Sequence, residues 1–384
     1  MTTLECGYFH AGLCRSCTLI EIPYSRQLAD KQARAEALIG GADGAGGIEW
    51  LEPVASEVAH FRTKAKMVVG GTADAPTLGI LDAEGRGVDL SDCPIVDGRV
   101  LAALAPITRF IALAAITPYA VPSRRGELKH VIVTVSPAGD LMVRFVLRSS
   151  EPVPRIRKHL GTLLDAIPGL AVVSANIQPV HAAILEGDEE IAIHGDVLEL
   201  AFDGVTLQLL PRSFVQTNNG IAAGLYRAGA AWLAEVEPGR VWDLYSGAGG
   251  FALHAAAAGS RVVGVEVSEA AVASAQAAAR AFGVDADFLA DDATRFALEA
   301  VETPGAVIVN PPRRGIGAEL AGWLEDSGIR HVLYSSCNAE SLARDLAAMP
   351  SLRPVRAQVF DMFPHTAHFE TLVLLARDPA GRGH

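Results

Sequence analysis

The chain has 384 residues, half of them apolar and a fifth charged, enough to bury a large core in one or two domains. Its formal net charge of −12 argues against a broad phosphate-coating surface, because affinity for nucleic acid comes from clustered Lys and Arg, although a local basic patch stays open. No apolar run reaches the roughly 18 to 20 residues of a bilayer span. Leu101 to Ala115 comes nearest, but Pro106 and Arg109 interrupt it. The opening Met1-Thr2-Thr3-Leu4-Glu5-Cys6 lacks the order of a signal peptide, so a cytoplasmic protein with no membrane partner is expected.

In chain order, residues 1 to 20 are cysteine-rich and read as loop. Tyr24 to Ile39 is predicted to be a helix, stopped by Gly40-Gly41, and a loop follows to Gly47. Strands are predicted over Phe61 to Val69 and Leu78 to Leu81, then a helix over Arg99 to Ile116. Leu128 to Ser136 and Leu141 to Ser149 read as a hairpin, joined by Pro137-Ala138-Gly139-Asp140. A helix over Arg155 to Ile167 ends at Pro168-Gly169, and further strands fall in Val172 to Gln178 and Leu198 to Leu209. Strand pairs without regular helical crossovers predict an α+β first half.

The pattern changes after about residue 210. An alanine-rich helix over Gly220 to Val236 is followed by strand–helix alternation. Strands are predicted at Val241 to Tyr245, Arg261 to Val267, Asp287 to Ala290, Ala306 to Val309 and His331 to Ser335. Helices are predicted at Gly250 to Ala258, Glu269 to Phe282, Ala293 to Val301, Gly317 to Asp326 and Ala339 to Ala348. Such alternation predicts an α/β fold with a parallel sheet covered on both faces. Val355 to Phe360 and Thr371 to Ala376 lack a helix between them, which predicts an antiparallel strand at one edge.

Asp243-Leu244-Tyr245-Ser246-Gly247-Ala248-Gly249-Gly250 follows a strand and precedes a helix, so its glycines can turn the backbone tightly against a ligand. Glu266, near the end of the next strand, suits two ribose hydroxyls, and Asp291-Asp292 follows the third strand. Ala252 breaks the Gly-x-Gly-x-x-Gly spacing of a pyrophosphate turn, and Asp243 suits an amino-acid ammonium. Together these favour S-adenosylmethionine over NAD.

Asn310-Pro311-Pro312-Arg313 closes another apolar run. In amine methyltransferases an aromatic residue follows such a motif, and here Arg313 stands instead. Cys337, at the end of a strand, offers a different route. A thiolate adding to C6 of uracil makes C5 a carbon nucleophile, and a base such as Glu370 then removes the C5 proton.

The remaining cysteines, Cys6, Cys14, Cys17 and Cys93, all lie in the first quarter. An odd total argues against a disulfide framework and points to one metal site plus one separate reactive thiol. The spacing Cys6-x7-Cys14-x2-Cys17 suits either an iron–sulfur cluster or tetrahedral zinc. Local basic candidates are Arg62-Thr63-Lys64-Ala65-Lys66, Arg124-Arg125, Arg155-Ile156-Arg157-Lys158 and Arg313-Arg314.

The set Ser213-Phe214-Val215-Gln216-Thr217-Asn218, the Asp243 turn, Gly264-Val265-Glu266, Asn310-Pro311-Pro312-Arg313-Arg314-Gly315, Tyr334-Ser335-Ser336-Cys337-Asn338 and Phe363-Pro364-His365-Thr366-Ala367-His368-Phe369-Glu370 resembles the RNA (uracil-5-)-methyltransferase family across essentially the whole chain. The resemblance implies a Rossmann-like class I S-adenosylmethionine-dependent methyltransferase domain over residues 209–384, behind an α+β domain over 1–208 that carries an iron–sulfur cluster and presents RNA. It implies that Gln216, Tyr245, Glu266 and Asn310 contact S-adenosylmethionine, that Cys337 is the nucleophile and that Glu370 is the base. Ser246 departs from the cysteine that relatives often carry there. Cys6, Cys14, Cys17 and Cys93 resemble the 4Fe–4S ligand set of ribosomal RNA members, which chooses the cluster over zinc. Gly12-Leu13-Cys14-Arg15-Ser16-Cys17 and the run from Phe61 to Val69 resemble the compact branch acting at uridine 747 of 23S rRNA. The expected partner is therefore 23S rRNA, with no obligate protein partner evident. The same chemistry on another ribosomal or transfer RNA uridine, an amine-directed nucleic-acid methyltransferase and a non-catalytic RNA-binding module stay open on the residues alone.

Overall fold

The structure, a computed structural model, describes residues 3–40, 47–182 and 184–377. A single helical turn, Gly7–His10 (α1), and a long helix, Tyr24–Ile39 (α2), precede a two-residue strand, Glu49–Trp50 (β1). Then come Lys64–Gly71 (β2), Pro76–Leu81 (β3), Gly87–Asp89 (β4), helix Gly98–Leu113 (α3), Leu128–Val135 (β5), Leu141–Leu147 (β6), helix Val153–Ala166 (α4), Leu170–Ile177 (β7) and Glu189–His194 (β8). Strands β2 to β8 form one sheet in the order β4-β3-β2-β5-β6-β7-β8. The predicted hairpin is β5–β6; its turn is closed by Ser136 Oγ, which accepts the Gly139 and Asp140 amides at 3.1 and 3.0 Å. Alternate residues such as Met67, Val133, Val143 and Val173 face α3 and α4, where Leu104, Ile107, Phe110 and Ile156 complete an apolar core.

Leu198–Phe202 (β9) and Val205–Leu209 (β10) make a separate hairpin. Its two turn residues, Asp203 and Gly204, have φ of 49° and 88°, the left-handed pair that a tight two-residue turn requires. Helix Asn219–Val236 (α5) follows, its first turn capped by Asn218 Oδ1, which accepts the Ile221 amide.

The remaining elements alternate: Arg240–Leu244 (β11), Gly250–Ala257 (α6), Arg261–Glu266 (β12), Glu269–Phe282 (α7), Ala286–Ala290 (β13), Ala293–Glu299 (α8), Ala306–Val309 (β14), Gly317–Asp326 (α9), His331–Ser336 (β15), Ala339–Ala347 (α10), Leu352–Phe360 (β16) and Glu370–Arg377 (β17). They form a sheet ordered β1-β16-β17-β15-β14-β11-β12-β13. The expectation of an antiparallel edge strand needs correction. β17 runs antiparallel to both β15 and β16 but lies between them. The edge belongs to β1, a short strand parallel to β16 that pairs Glu49 with Arg356 and Trp50 with Ala357. β17 alternates little because it is buried on both faces, so its apolar run carries no mark of position.

Two apolar clusters cover the two faces of this sheet. One joins Leu225, Trp232, Phe251 and Ile308 with the β9–β10 hairpin. The other joins Val307, Val332, Leu320 and Leu342 with Ala35 and Ile39 of α2. An N-terminal helix thus completes the core of the C-terminal sheet.

Candidate active site

β11, β12, β14 and β15 are parallel and end at one sheet edge, while antiparallel β17 begins there with Glu370. That edge is where ligands bind in sheets of this kind. Asp243, Glu266, Asn310, Cys337 and Glu370 all lie on it.

The turn after β11 uses left-handed backbone at Tyr245, Gly247 and Gly249, with φ of 73°, 54° and 88°. Gly247 N–H donates to Glu266 Oε2 at 3.2 Å, and Ser268 N–H donates to Oε1 at 2.9 Å. Glu266 therefore ties the first turn to the second, and each of its oxygens keeps a lone pair for a sugar hydroxyl. Asp243 is buried; its Oδ2 accepts the Ala252 amide at 3.0 Å and its Oδ1 has no partner. Burial pushes this carboxyl up to about 8, against the Ala252 amide and helped by the charge of Glu266. An unpartnered acid oxygen beside a glycine turn fits an amino-acid-bearing nucleoside such as S-adenosylmethionine. Tyr245 is half-buried in the same turn, and Gln216 is buried in the loop before α5.

Cys337 directly follows β15, and Asn338 caps α10 by accepting the Glu340 amide at 3.2 Å. The Asn338 side chain also donates to the Arg313 carbonyl at 3.1 Å, which joins the cysteine turn to the Asn310-Pro311-Pro312-Arg313 loop. Asp345 of α10 fixes that loop from beneath: its Oδ2 accepts Tyr334 Oη–H at 2.7 Å and the Ile316 amide at 2.9 Å. Asn310 is half-buried at the loop's start.

Ser336 of β15 pairs with Thr371 of β17. Cys337 and Glu370 therefore stand one residue further out on neighbouring strands, at the same edge. Burial raises the Cys337 thiol, the charge of Glu370 raises it further, and the Arg313 guanidinium opposes both. Burial pushes the Glu370 carboxyl up to about 8, again against Arg313. Glu370 Oε2 is buried and accepts no hydrogen bond. A pocket of about 330 Å³ opens over the thiol, lined by Arg34, Arg313, Cys337, Asn338, Glu340 and His368 among others.

Helix α2 contributes residues that the sequence reading passed over. Lys31 Nζ donates to Asp361 Oδ1 at 2.6 Å and to the Phe363 carbonyl at 3.1 Å, with both charged groups buried. Gln27 Oε1 accepts the His365 amide at 2.9 Å, and His365 Nε2 lies 2.7 Å from the Val58 carbonyl. These bonds hold the 361–369 segment that leads into Glu370. A signal existed: Gln27, Lys31, Ala35 and Ile39 recur every four residues, one stripe of one helix, and all four are buried.

Cys6 is buried, Cys14, Cys17 and Cys93 are half-buried, and all are free thiols. The Cys17 thiol is pushed up to about 12 by burial and then by Cys93, Cys14 and Cys6, with Arg62 opposing. The four thiols thus lie in one another's field. Among the described residues, no group of three or more His, Cys, Asp or Glu is gathered closely enough to hold a metal ion, so the expected cluster site is not closed.

Residues 292–378 match the tRNA (Uracil-5-)-methyltransferase family, and residues 241–312 match a methyltransferase domain family. The chain is 46% identical over 378 residues to the 23S rRNA (uracil(747)-C(5))-methyltransferase of Serratia proteamaculans, covering 98% of this chain and 100% of that one. It is 47% identical over 381 residues to the enzyme of the same name from Halothiobacillus neapolitanus, covering 97% and 100%. The chain belongs to the RNA (uracil-C5-)-methyltransferase family. A crystal structure of Pyrococcus abyssi tRNA (uracil-54, C5)-methyltransferase in complex with S-adenosyl-L-homocysteine has the same fold, with a TM-score of 0.77 and 24% identity over 94% of this chain and 85% of that one. The large sheet is that of an α/β class I methyltransferase. In this uracil-C5 methyltransferase, Asn310, Cys337 and Glu370 fall in the segment matched to the uracil-5 family, while Gln216 precedes both matched segments.

Proposed function

We propose that this enzyme transfers a methyl group from S-adenosylmethionine to C5 of uridine 747 of 23S rRNA, giving 5-methyluridine. Relatives named for that position align over 97 to 98% of the chain, which supports the choice of substrate. The observation that carries the chemistry is the meeting of Cys337 with a buried, raised Glu370 whose Oε2 is unpartnered.

Arg313 favours the Cys337 thiolate, which adds to uracil C6 and moves an electron pair onto C5 as an enolate. S-adenosylmethionine, when bound, supplies the electrophilic methyl group that C5 takes up. Glu370 Oε2 then removes the C5 proton, the C5–C6 double bond re-forms, and the Cys337 sulfur leaves. A carboxyl raised by burial is a better proton acceptor than an exposed one at neutral pH. Gln216, Tyr245, Glu266 and Asn310 hold the nucleoside cofactor, and the base must be turned out of any stack for sulfur to reach C6.

Residues 1–208 present the RNA and carry a structural 4Fe–4S cluster on Cys6, Cys14, Cys17 and Cys93. Four thiols without a carboxylate suit that group, and the Arg62 guanidinium beside Cys17 and Cys93 offsets the charge of their thiolates. Anaerobically purified protein should contain equimolar iron and acid-labile sulfide; zinc in their place would overturn this part. No helix among the described residues is long and apolar enough to cross a membrane, and action on ribosomal RNA puts the enzyme in the cytoplasm.

A transcript carrying 5-fluorouridine at the target tests the mechanism. With S-adenosylmethionine it should form a covalent adduct that survives denaturation and is absent from Cys337→Ala. An active enzyme that forms no such adduct would refute the mechanism. Loss of ribosomal 5-methyluridine at one position in cells lacking the gene would support the substrate; loss from transfer RNA would redirect it.

A further inference from the structure

We propose that Arg34 and Glu340 form a latch for the RNA strand: Arg34 lets go of Glu340 and takes a backbone phosphate beside the target uridine. This rests on the proposed RNA methylation and adds a substrate contact to it. Arg34 belongs to α2 and Glu340 to the first turn of α10, 306 positions apart, and they pair at the mouth of the pocket that holds Cys337. Both side chains are about half exposed, at 47% and 52%, so the guanidinium is free to swing.

Charge favours the exchange. The pocket rim carries Arg34 and Arg313 against Glu340 alone, since Lys31 nearby is spent on Asp361, Glu370 is buried, and burial with the nearby arginines pushes His368 toward its neutral form. The chain as a whole is strongly acidic, so cations at this mouth are the ones a nucleotide meets on entry. An exposed ion pair contributes little, whereas a guanidinium grips phosphate in a two-pronged geometry. Arg34 is the main group that holds the Glu340 carboxylate low, and after release the carboxylate keeps its own backbone amide and the α10 N-terminus.

A plain brace between two helices would also pair these residues, and the two variants separate the readings. The test measures binding of full-length protein, with S-adenosylhomocysteine, to a labelled 23S hairpin transcript spanning uridine 747 across a potassium chloride series. Arg34→Gln should raise Kd about fivefold near 0.1 M salt and lower the salt slope by about 0.7, the loss of one single-strand phosphate contact. Glu340→Gln should lower Kd, because the competing anion is gone. Equal weakening by both variants, or an unchanged Kd and slope in Arg34→Gln, overturns the latch. Should Arg34→Gln fail to fold, Glu340→Gln decides alone: tighter binding supports the latch and unchanged or weaker binding overturns it. Methylation of the same transcript by the wild-type protein is scored separately, so failure of the chemistry is distinguishable from failure of the latch.

Discussion

Glu370 titrates at about 8 in the folded chain, against an ordinary value of 4.5, because burial penalises its charge. Between those values the native state binds a proton that the unfolded state has released. The stability from the neutral carboxyl is therefore present below about 4.5 and lost as pH rises through about 8. Glu370→Gln keeps the neutral shape, so it should gain on wild type by about 1 kcal/mol or more between pH 5 and pH 9. Urea unfolding of both proteins at the two pH values checks this, and an equal gap at both would contradict it. Catalysis runs the other way. The thiolate of Cys337 and the carboxylate of Glu370 are both the deprotonated forms of raised groups, so kcat/KM should climb from pH 6 toward 9. Stopping after methyl transfer is the expected fault of Glu370→Gln, seen as methylated RNA still bonded to protein on a denaturing gel. At this scale the motifs of Cys337 and Glu370 were legible, and the structure brings the two to one sheet edge. Lys31 and Gln27 were not, because a Lys or Gln in a helix with many charges reads as solvated until something buried meets it.

Helix α2 is where an N-terminal element holds the segment that leads into Glu370. Removing Lys31 takes the ion-pair partner from a fully buried Asp361, so Lys31→Met should cost about 3 to 5 kcal/mol. Replacing both as Lys31→Met with Asp361→Leu should recover most of that, measured by urea unfolding; a double variant no better than the single would refute the account. The glycine-rich turn makes a second element-scale prediction. A Cβ at Gly250 would lie 2.5 Å from the Tyr226 ring, so Gly250→Ala should destabilise by about 1 to 3 kcal/mol and weaken binding of S-adenosylhomocysteine in calorimetry. Most elements were legible because their apolar periods were clean, and α2 was predicted with the bounds it has. Those that escaped were short or lacked a buried face: β1 has two residues, and β8, Glu-Glu-Ile-Ala-Ile-His, has no residue fully buried. The antiparallel direction of β17 was expected; its place between β15 and β16 escaped, since strand order is set by partners and not by its own residues.

Across the whole molecule, a bound cofactor should stabilise what it touches. S-adenosylhomocysteine at about 100 times its Kd should add about 2.7 kcal/mol, seen as a raised Tm that Glu266→Ala largely abolishes. The class I sheet was legible from alternation alone, whereas the sharing of one core by residues near both ends was not, because no local pattern encodes it. That sharing has a consequence for synthesis. Arg356 Nε donates to Glu49 Oε2 across 307 positions, and among the described residues β1 pairs with no strand but β16. As the chain emerges from the ribosome, α2 and β1 come out early and wait, unpaired, until nearly the last strands arrive to receive them. Premature termination after residue 351 would spare the glycine turn, Asn310 and Cys337, yet remove Asp361 and His365 from beneath Lys31 and Gln27 and leave β1 without its strand.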